Sequence, residues 1–180
     1  MTGRMPSRRR KAALVLGLAL LAVSCGSREK PERPEQICGT PVDWKLVDPL
    51  ADFPEGVHEY SRVDRSELVS APCVLSSGDE RMMEFHFYWT SDTPGFAQRS
   101  KFDPVFTDVV EWRKANIGDE AIVGRNGAIA STSCKTARGN HFTLKLHLPQ
   151  ASILDEGNRA EVDAFMRAYF PATVKTLKCG

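Results

Sequence analysis

The sequence predicts an α+β fold, an antiparallel sheet built from two three-stranded meanders and packed against a C-terminal helix and a short N-terminal helix. Apolar and polar residues alternate strictly through Met83–Thr90 and again through His141–Leu148, which is how a half-buried antiparallel strand reads. Val162, Phe165, Met166 and Tyr169 recur at i, i+3, i+4 and i+7, one buried stripe of a helix. Turn residues separate the remaining strand-like runs at short intervals, which suits consecutive antiparallel pairing.

A chain of 180 residues with 42% hydrophobic and 26% charged residues is expected to hold one globular domain with additional terminal segments. Basic residues number 24 and acidic 23, but Arg4, Arg8, Arg9, Arg10 and Lys11 crowd the N-terminus. The rest of the chain is therefore acidic overall. Nucleic-acid binding needs a basic face to displace phosphate counterions, and no comparable basic run recurs.

Residues 1–24 have the three parts of a signal peptide: a basic start, the apolar run Ala12–Val23, and small residues before a cysteine. The run is shorter than the roughly 20 residues of a membrane span. Leu21-Ala22-Val23-Ser24-Cys25 resembles the lipobox of bacterial lipoproteins, with Ala22 where leucine is commonest and Leu21 one place further back. Cys25 is the expected lipidation site, a membrane lipid is the expected partner there, and two or more acyl chains make such attachment stable. Ordinary secretion and an uncleaved anchor are the alternatives. Residues 25–36 are polar and proline-rich, and are expected to form a disordered tether reaching about 30 Å. Residues 37–180 would be the extracytoplasmic domain.

Cysteine usage fits export. Of five cysteines, lipidation takes Cys25 and leaves Cys38, Cys73, Cys134 and Cys179. Without any C-x-x-C spacing, zinc and thiol-redox motifs lack support, and two structural disulfides are expected. Three connectivities are possible. We favour Cys38–Cys73 with Cys134–Cys179, because each would staple a helix to a sheet within one half of the domain.

In chain order, Thr40 is placed as the cap of the short helix, with Pro41 at its first position and Pro49 ending it. Strands follow within Val57–Val69, around a turn near Asp64-Arg65-Ser66. Pro72 places Cys73–Leu75 at a sheet edge or at a strand start. After the turn Ser76–Asp79 comes the first alternating strand, then a loop at Ser91–Ser100; beyond it Asp103-Pro104 can start a helix with Phe102, Val105, Phe106 and Val109 at helical spacing, while Val109–Trp112 suits a strand, which we favour. Asn126-Gly127 suits a two-residue type I′ hairpin turn, and Gly139-Asn140 a second turn. Asn158 is placed as the cap of the last helix, with Glu161 completing a capping box; Pro171 kinks or ends it. The run Glu67–Cys73 with its following strand parallels Ala128–Cys134 with its own, which divides the sheet into two similar halves.

Cys25 with its lipobox, the Ile37-Cys38-Gly39 start after a polar tether, and Gly118-Asp119-Glu120-Ala121 leading into paired strands together resemble the small actinobacterial lipoproteins of unknown function. The resemblance implies a cell-envelope lipoprotein with an α+β domain and carries over no catalytic residue.

The residues that stand out chemically are His86, Tyr88, His141, Lys145 and His147, all on the outward parity of their strands. If the strands are neighbours, the imidazoles and Glu84 converge as a ligand or metal site; otherwise they are solvated groups on a polar face. No cofactor and no metal is assigned. A serine hydrolase needs a nucleophile beside a base, yet no G-x-S-x-G elbow occurs, and Ser66, Ser70, Ser76 and Ser77 lack a partner spacing. The expected role is a non-enzymatic binding module meeting an envelope protein, a cell-wall component or a small ligand. The alternative is a cell-envelope hydrolase or metal-dependent enzyme, which a deep polar cleft would favour.

Overall fold

The computed structural model describes residues 33–61, 70–91, 108–152, 155 and 157–180, and the architecture below is that of those residues. The elements, in order, are β1 (Gln36–Ile37), β2 (Thr40–Pro41), α1 (Trp44–Val47), β3 (His58–Ser61), β4 (Ser70–Ser77), β5 (Glu80–Thr90), β6 (Arg113–Ala115), β7 (Glu120–Val123), β8 (Gly127–Thr136), β9 (Gly139–His147) and α2 (Gly157–Thr176). The α+β class with a C-terminal helix is as expected.

The sheet is one seven-stranded antiparallel layer in the order β3-β4-β5-β9-β8-β7-β6, rather than two three-stranded meanders. Strand β9 pairs with β5 through Glu84↔His147 to Thr90↔His141, so the two alternating strands lie side by side at the sheet centre. The short β6 extends the second run of strands beyond three. Phe85, Phe87, Phe142, Leu144 and Leu146 are fully buried on one face.

Helix α2 covers that face with Val162, Phe165, Met166 and Tyr169, the expected stripe, and adds Phe170 and Thr173. Phe85 packs between Phe165 and Tyr169, with ring centroids 6.2 and 5.1 Å away. At roughly 25 cal/mol per Å² of apolar surface removed from water, this aromatic layer dominates cohesion. The Asp155 carboxylate accepts the Gly157 amide at 2.8 Å, so Asp155 starts the helix in place of Asn158, whose side chain donates to the Ser152 carbonyl. Pro171 neither ends the helix nor stops it before Thr176.

The N-terminal segment departs from expectation. Thr40 and Pro41 form a strand with Gln36 and Ile37, and the cap of α1 is Asp43, which accepts the Lys45 amide at 3.0 Å. Cys38 and Gly39 both have positive φ, at 51° and 67°, as a two-residue type I′ connection demands. This small hairpin docks on α2: the Tyr169 hydroxyl donates to the Ile37 carbonyl at 2.8 Å, and Thr40 and Thr173 hydroxyls meet at 3.1 Å. Residues 33–36, assigned to the tether, are also packed. Arg33 pairs with Asp48 at 2.8 Å and lies over the Trp44 ring, and Trp44 Nε1 donates to the Pro34 carbonyl.

Both favoured disulfides are present, Cys38–Cys73 and Cys134–Cys179. The second ties the segment after α2 to β8, whereas the first ties the β1–β2 hairpin, not a helix, to β4.

Four local expectations are corrected. Strand β4 lies between β3 and β5, not at an edge; Pro72 falls one residue beyond the described register with β3, which begins at Ser61↔Cys73. Neither Asn126 nor Gly127 has positive φ, so the type I′ turn is absent, and β7 and β8 are joined by Gly124–Gly127 closed by the Gly124 amide to the Gly127 carbonyl at 2.8 Å. Gly127 is needed for a different reason: a Cβ there would collide with the Leu146 carbonyl. The β8–β9 turn is Ala137-Arg138, two residues before Gly139-Asn140. Residues 109–111 form a bend and a turn, Trp112 is irregular, and the strand begins at Arg113.

The proposed turn at Asp64–Ser66, most of the Ser91–Ser100 loop, the signal peptide and Cys25 lie outside the described residues. Among the described residues no helix is long and apolar enough to cross a membrane.

Candidate functional site on the outward sheet face

Cross-strand register decides which outward residues meet. One row runs Tyr60, Val74, Glu84, His147, and the next runs Pro72, His86, Lys145, Ile129, Ile122. A third contains Ser70, Tyr88, Thr143 and Ser131. His86, Tyr88, Lys145 and His147 are therefore brought together on adjacent rows. His141 is not: it pairs with Thr90, four residues along β9 from Lys145, or about 13 Å at ~3.4 Å per residue.

The assembled side chains hold each other. His147 Nδ1 lies 3.3 Å from Glu84 Oε2, while the other Glu84 oxygen takes Arg81 at 2.8 Å. The His86 and Tyr88 rings stack at 6.1 Å. Burial lowers the His86 pKa below the ordinary imidazole value, and the Lys145 ammonium adds to this; Glu84 opposes the shift. At the far row, the Ser133 amide and hydroxyl donate to Asp119 at 2.6 and 3.0 Å, and this backbone bond holds that carboxyl below its usual range.

Lys145, expected on an open outward binding face, is covered. Its side chain is 6% exposed and bonds Asp108 at 2.9 Å, because the segment 108–111 lies across the outer face of β7, β8 and β9. Val109 packs there on Ile122 and Ile129. Asn126 fastens the segment, accepting the Val110 amide at 2.8 Å and donating to the Asp108 carbonyl at 2.7 Å. Thr143 is buried too. The outward face is thus open chiefly over β3, β4 and β5, where Tyr60 is 59% exposed.

The sequence reading missed Asp108 and Asn126. Their signal was Ile122 and Ile129, apolar residues on an outward parity that needed a cover, next to the apolar pair Val109-Val110.

Chemically, the face offers two imidazoles, the phenols of Tyr60 and Tyr88 and a carboxylate beside small apolar groups. Among the described residues, neither His86 nor His147 hydrogen-bonds a hydroxyl or thiol, and the one compact set of candidate metal-ligand atoms is Cys38, Glu59 and Cys73. Two of those three are joined as a disulfide, and Glu59 accepts the Cys38 amide at 2.7 Å. No protein-family model matches this chain, and neither a curated protein nor a solved structure matches it.

Proposed function

We propose that this protein is a membrane-anchored extracytoplasmic lipoprotein whose domain is a non-enzymatic binding module in the cell envelope. Its partner is an envelope protein, a cell-wall component or a small ligand, met through the outward face of β3, β4 and β5. The lipobox at Cys25 and the cysteine count support the location.

One observation carries the binding surface. His86, Tyr88 and His147 stand half-buried in adjacent rows, fixed by stacking and by the Glu84 carboxylate, next to the exposed Tyr60. Rings already held in place lose little conformational freedom on binding, and amphipathic aromatic groups are favoured at interfaces for that reason. The alternative, a hydrolase or metal-dependent enzyme, would build on the Glu84–His147 pair, a carboxylate orienting an imidazole.

In-cell photo-cross-linking tests the reading. A photoreactive phenylalanine analogue at Tyr60 is expected to give a discrete adduct that weakens in His86→Ala and His147→Ala, while the same analogue at the exposed Lys135 gives none. Equal, diffuse labelling from both positions would overturn it. A stoichiometric metal lost in the same histidine variants would transfer support to the alternative.

A further inference from the structure

Three metal-ligating side chains meet where the β1–β2 hairpin lies against the β3 edge of the sheet. Cys38 Sγ, Cys73 Sγ and a Glu59 carboxylate oxygen all lie within 4.8 Å of one another. Cys38 sits at the hairpin corner with φ 51°. Cys73 on β4 and Glu59 on β3 share the inward parity of their strands. The three ligands come from three separate pieces of chain, so no C-x-x-C spacing announces them.

The disulfide does not account for the carboxylate. Glu59 accepts the Cys38 amide at 2.7 Å through Oε2 and makes no ion pair among the described residues. An uncharged glutamine would accept that bond equally well, yet a negative charge stands beside two neutral sulfurs. Cys38 and Cys73 are buried while Glu59 is exposed. Protein therefore encloses the sulfurs, and an ion can enter beside the carboxylate.

Reduction turns the cluster into a donor set. A dithiol reductant supplies two electrons, breaks the Cys38–Cys73 bond and leaves as its own disulfide. A buried thiolate without a counter-charge is costly, and a divalent ion supplies that charge. Two sulfur–metal bonds and one oxygen–metal bond form, and the two thiol protons pass to solvent. Bonds to zinc of about 2.3 Å from sulfur and about 2.1 Å from oxygen place tetrahedral donors roughly 3.5–3.8 Å apart. The present spacing allows this once the sulfurs rotate away from each other. The hairpin is held by more than its disulfide, since Tyr169 bonds the Ile37 carbonyl and Thr40 meets Thr173. Cys38 thus stays beside Cys73 when their bond opens.

We infer that the reduced chain binds one zinc ion through Cys38, Cys73 and Glu59, with water in the fourth position. Disulfide and metal are then alternative states of one site. Two thiolates with a carboxylate suit zinc, whereas copper(I) is selected by sulfur ligands and gains nothing from the carboxylate. The site uses no residue of the outward face, so this inference is independent of the binding surface proposed there.

The test is zinc titration of the full chain carrying Cys25→Ser, in non-ionic detergent, against a chromogenic chelator. It is run before and after anaerobic reduction with a phosphine. The reduced chain is expected to bind zinc and the oxidised chain to bind none. Cobalt(II) in place of zinc should show sulfur-to-metal charge-transfer absorption that Cys73→Ser abolishes. Glu59→Gln keeps an acceptor for the Cys38 amide but should weaken zinc by about tenfold or more, the loss that even a partner of a ligand brings. His86→Ala and His147→Ala should leave uptake unchanged. If Cys73→Ser fails to fold, Glu59→Gln decides alone. A reduced chain that binds no zinc would overturn the inference. So would zinc bound equally by the oxidised chain, retained in Cys73→Ser, unaffected by Glu59→Gln, or lost in the histidine variants.

Discussion

Lys145 Nζ lies 2.9 Å from Asp108 Oδ2, although the lysine side chain is 6% exposed and the aspartate 54%. The pair clamps the segment 108–111 to the outer face of the sheet. Removing Asp108 leaves a nearly buried ammonium without its counter-charge, whereas replacing lysine with an apolar residue of similar length removes the need for one. Asp108→Ala is therefore expected to destabilise by about 1–3 kcal/mol, and Lys145→Met by much less. Urea unfolding of the two variants measures the difference; equal midpoints would show that the clamp holds nothing.

Phe165 is fully buried between the Phe85 and Tyr169 rings. Phe165→Ala should cost about 3–5 kcal/mol through lost burial and the cavity left behind. A midpoint equal to wild type in chemical denaturation would contradict the packing of α2 on the sheet.

The disulfides close chain segments with sequence separations of 35 and 45 residues. Removing either pair by double Cys→Ala substitution is expected to lower stability by about 2–4 kcal/mol. Non-reduced peptide mapping should recover only the Cys38–Cys73 and Cys134–Cys179 linked peptides. Free thiols at two or more of these positions in folded protein would refute the arrangement.

These expectations show where the sequence was informative. The alternating strands and the Val162–Tyr169 stripe were legible because period and burial coincide: one face of each meets the same aromatic core. The failures are places where a tertiary contact overruled a local signal. Thr40 and Pro41 carry good helix-start chemistry, yet docking on Thr173 and Tyr169 draws them into a hairpin. Asn126-Gly127 is ideal turn chemistry, yet Asn126 is spent on holding 108–110, and Gly127 on passing Leu146. Lys145 reads as open on the outward face because nothing local announces a segment returning over it. His86, His141 and His147 are equal candidates in the sequence, and register alone, which sequence does not supply, separates the first and last from His141.

Stability should follow pH through His86. Its folded pKa lies below the ordinary value, chiefly because of burial, so the unfolded chain takes up the proton more readily. The stabilisation is complete above about pH 6.5 and is lost as pH falls from there through the folded pKa. The urea midpoint is thus expected to fall between pH 7 and pH 5, with a shallower fall in His86→Gln. Identical slopes would show that His86 titrates alike in the folded and unfolded chains.

The central claim is the lipid anchor, since the location and the class of partner both depend on it. Metabolic labelling with an alkyne-bearing fatty acid in a bacterial host, followed by click detection, measures it directly. The wild-type chain is expected to carry label and to sediment with membranes, and Cys25→Ser to lose both. Undiminished labelling of Cys25→Ser, or a wild-type chain without label, would contradict the account.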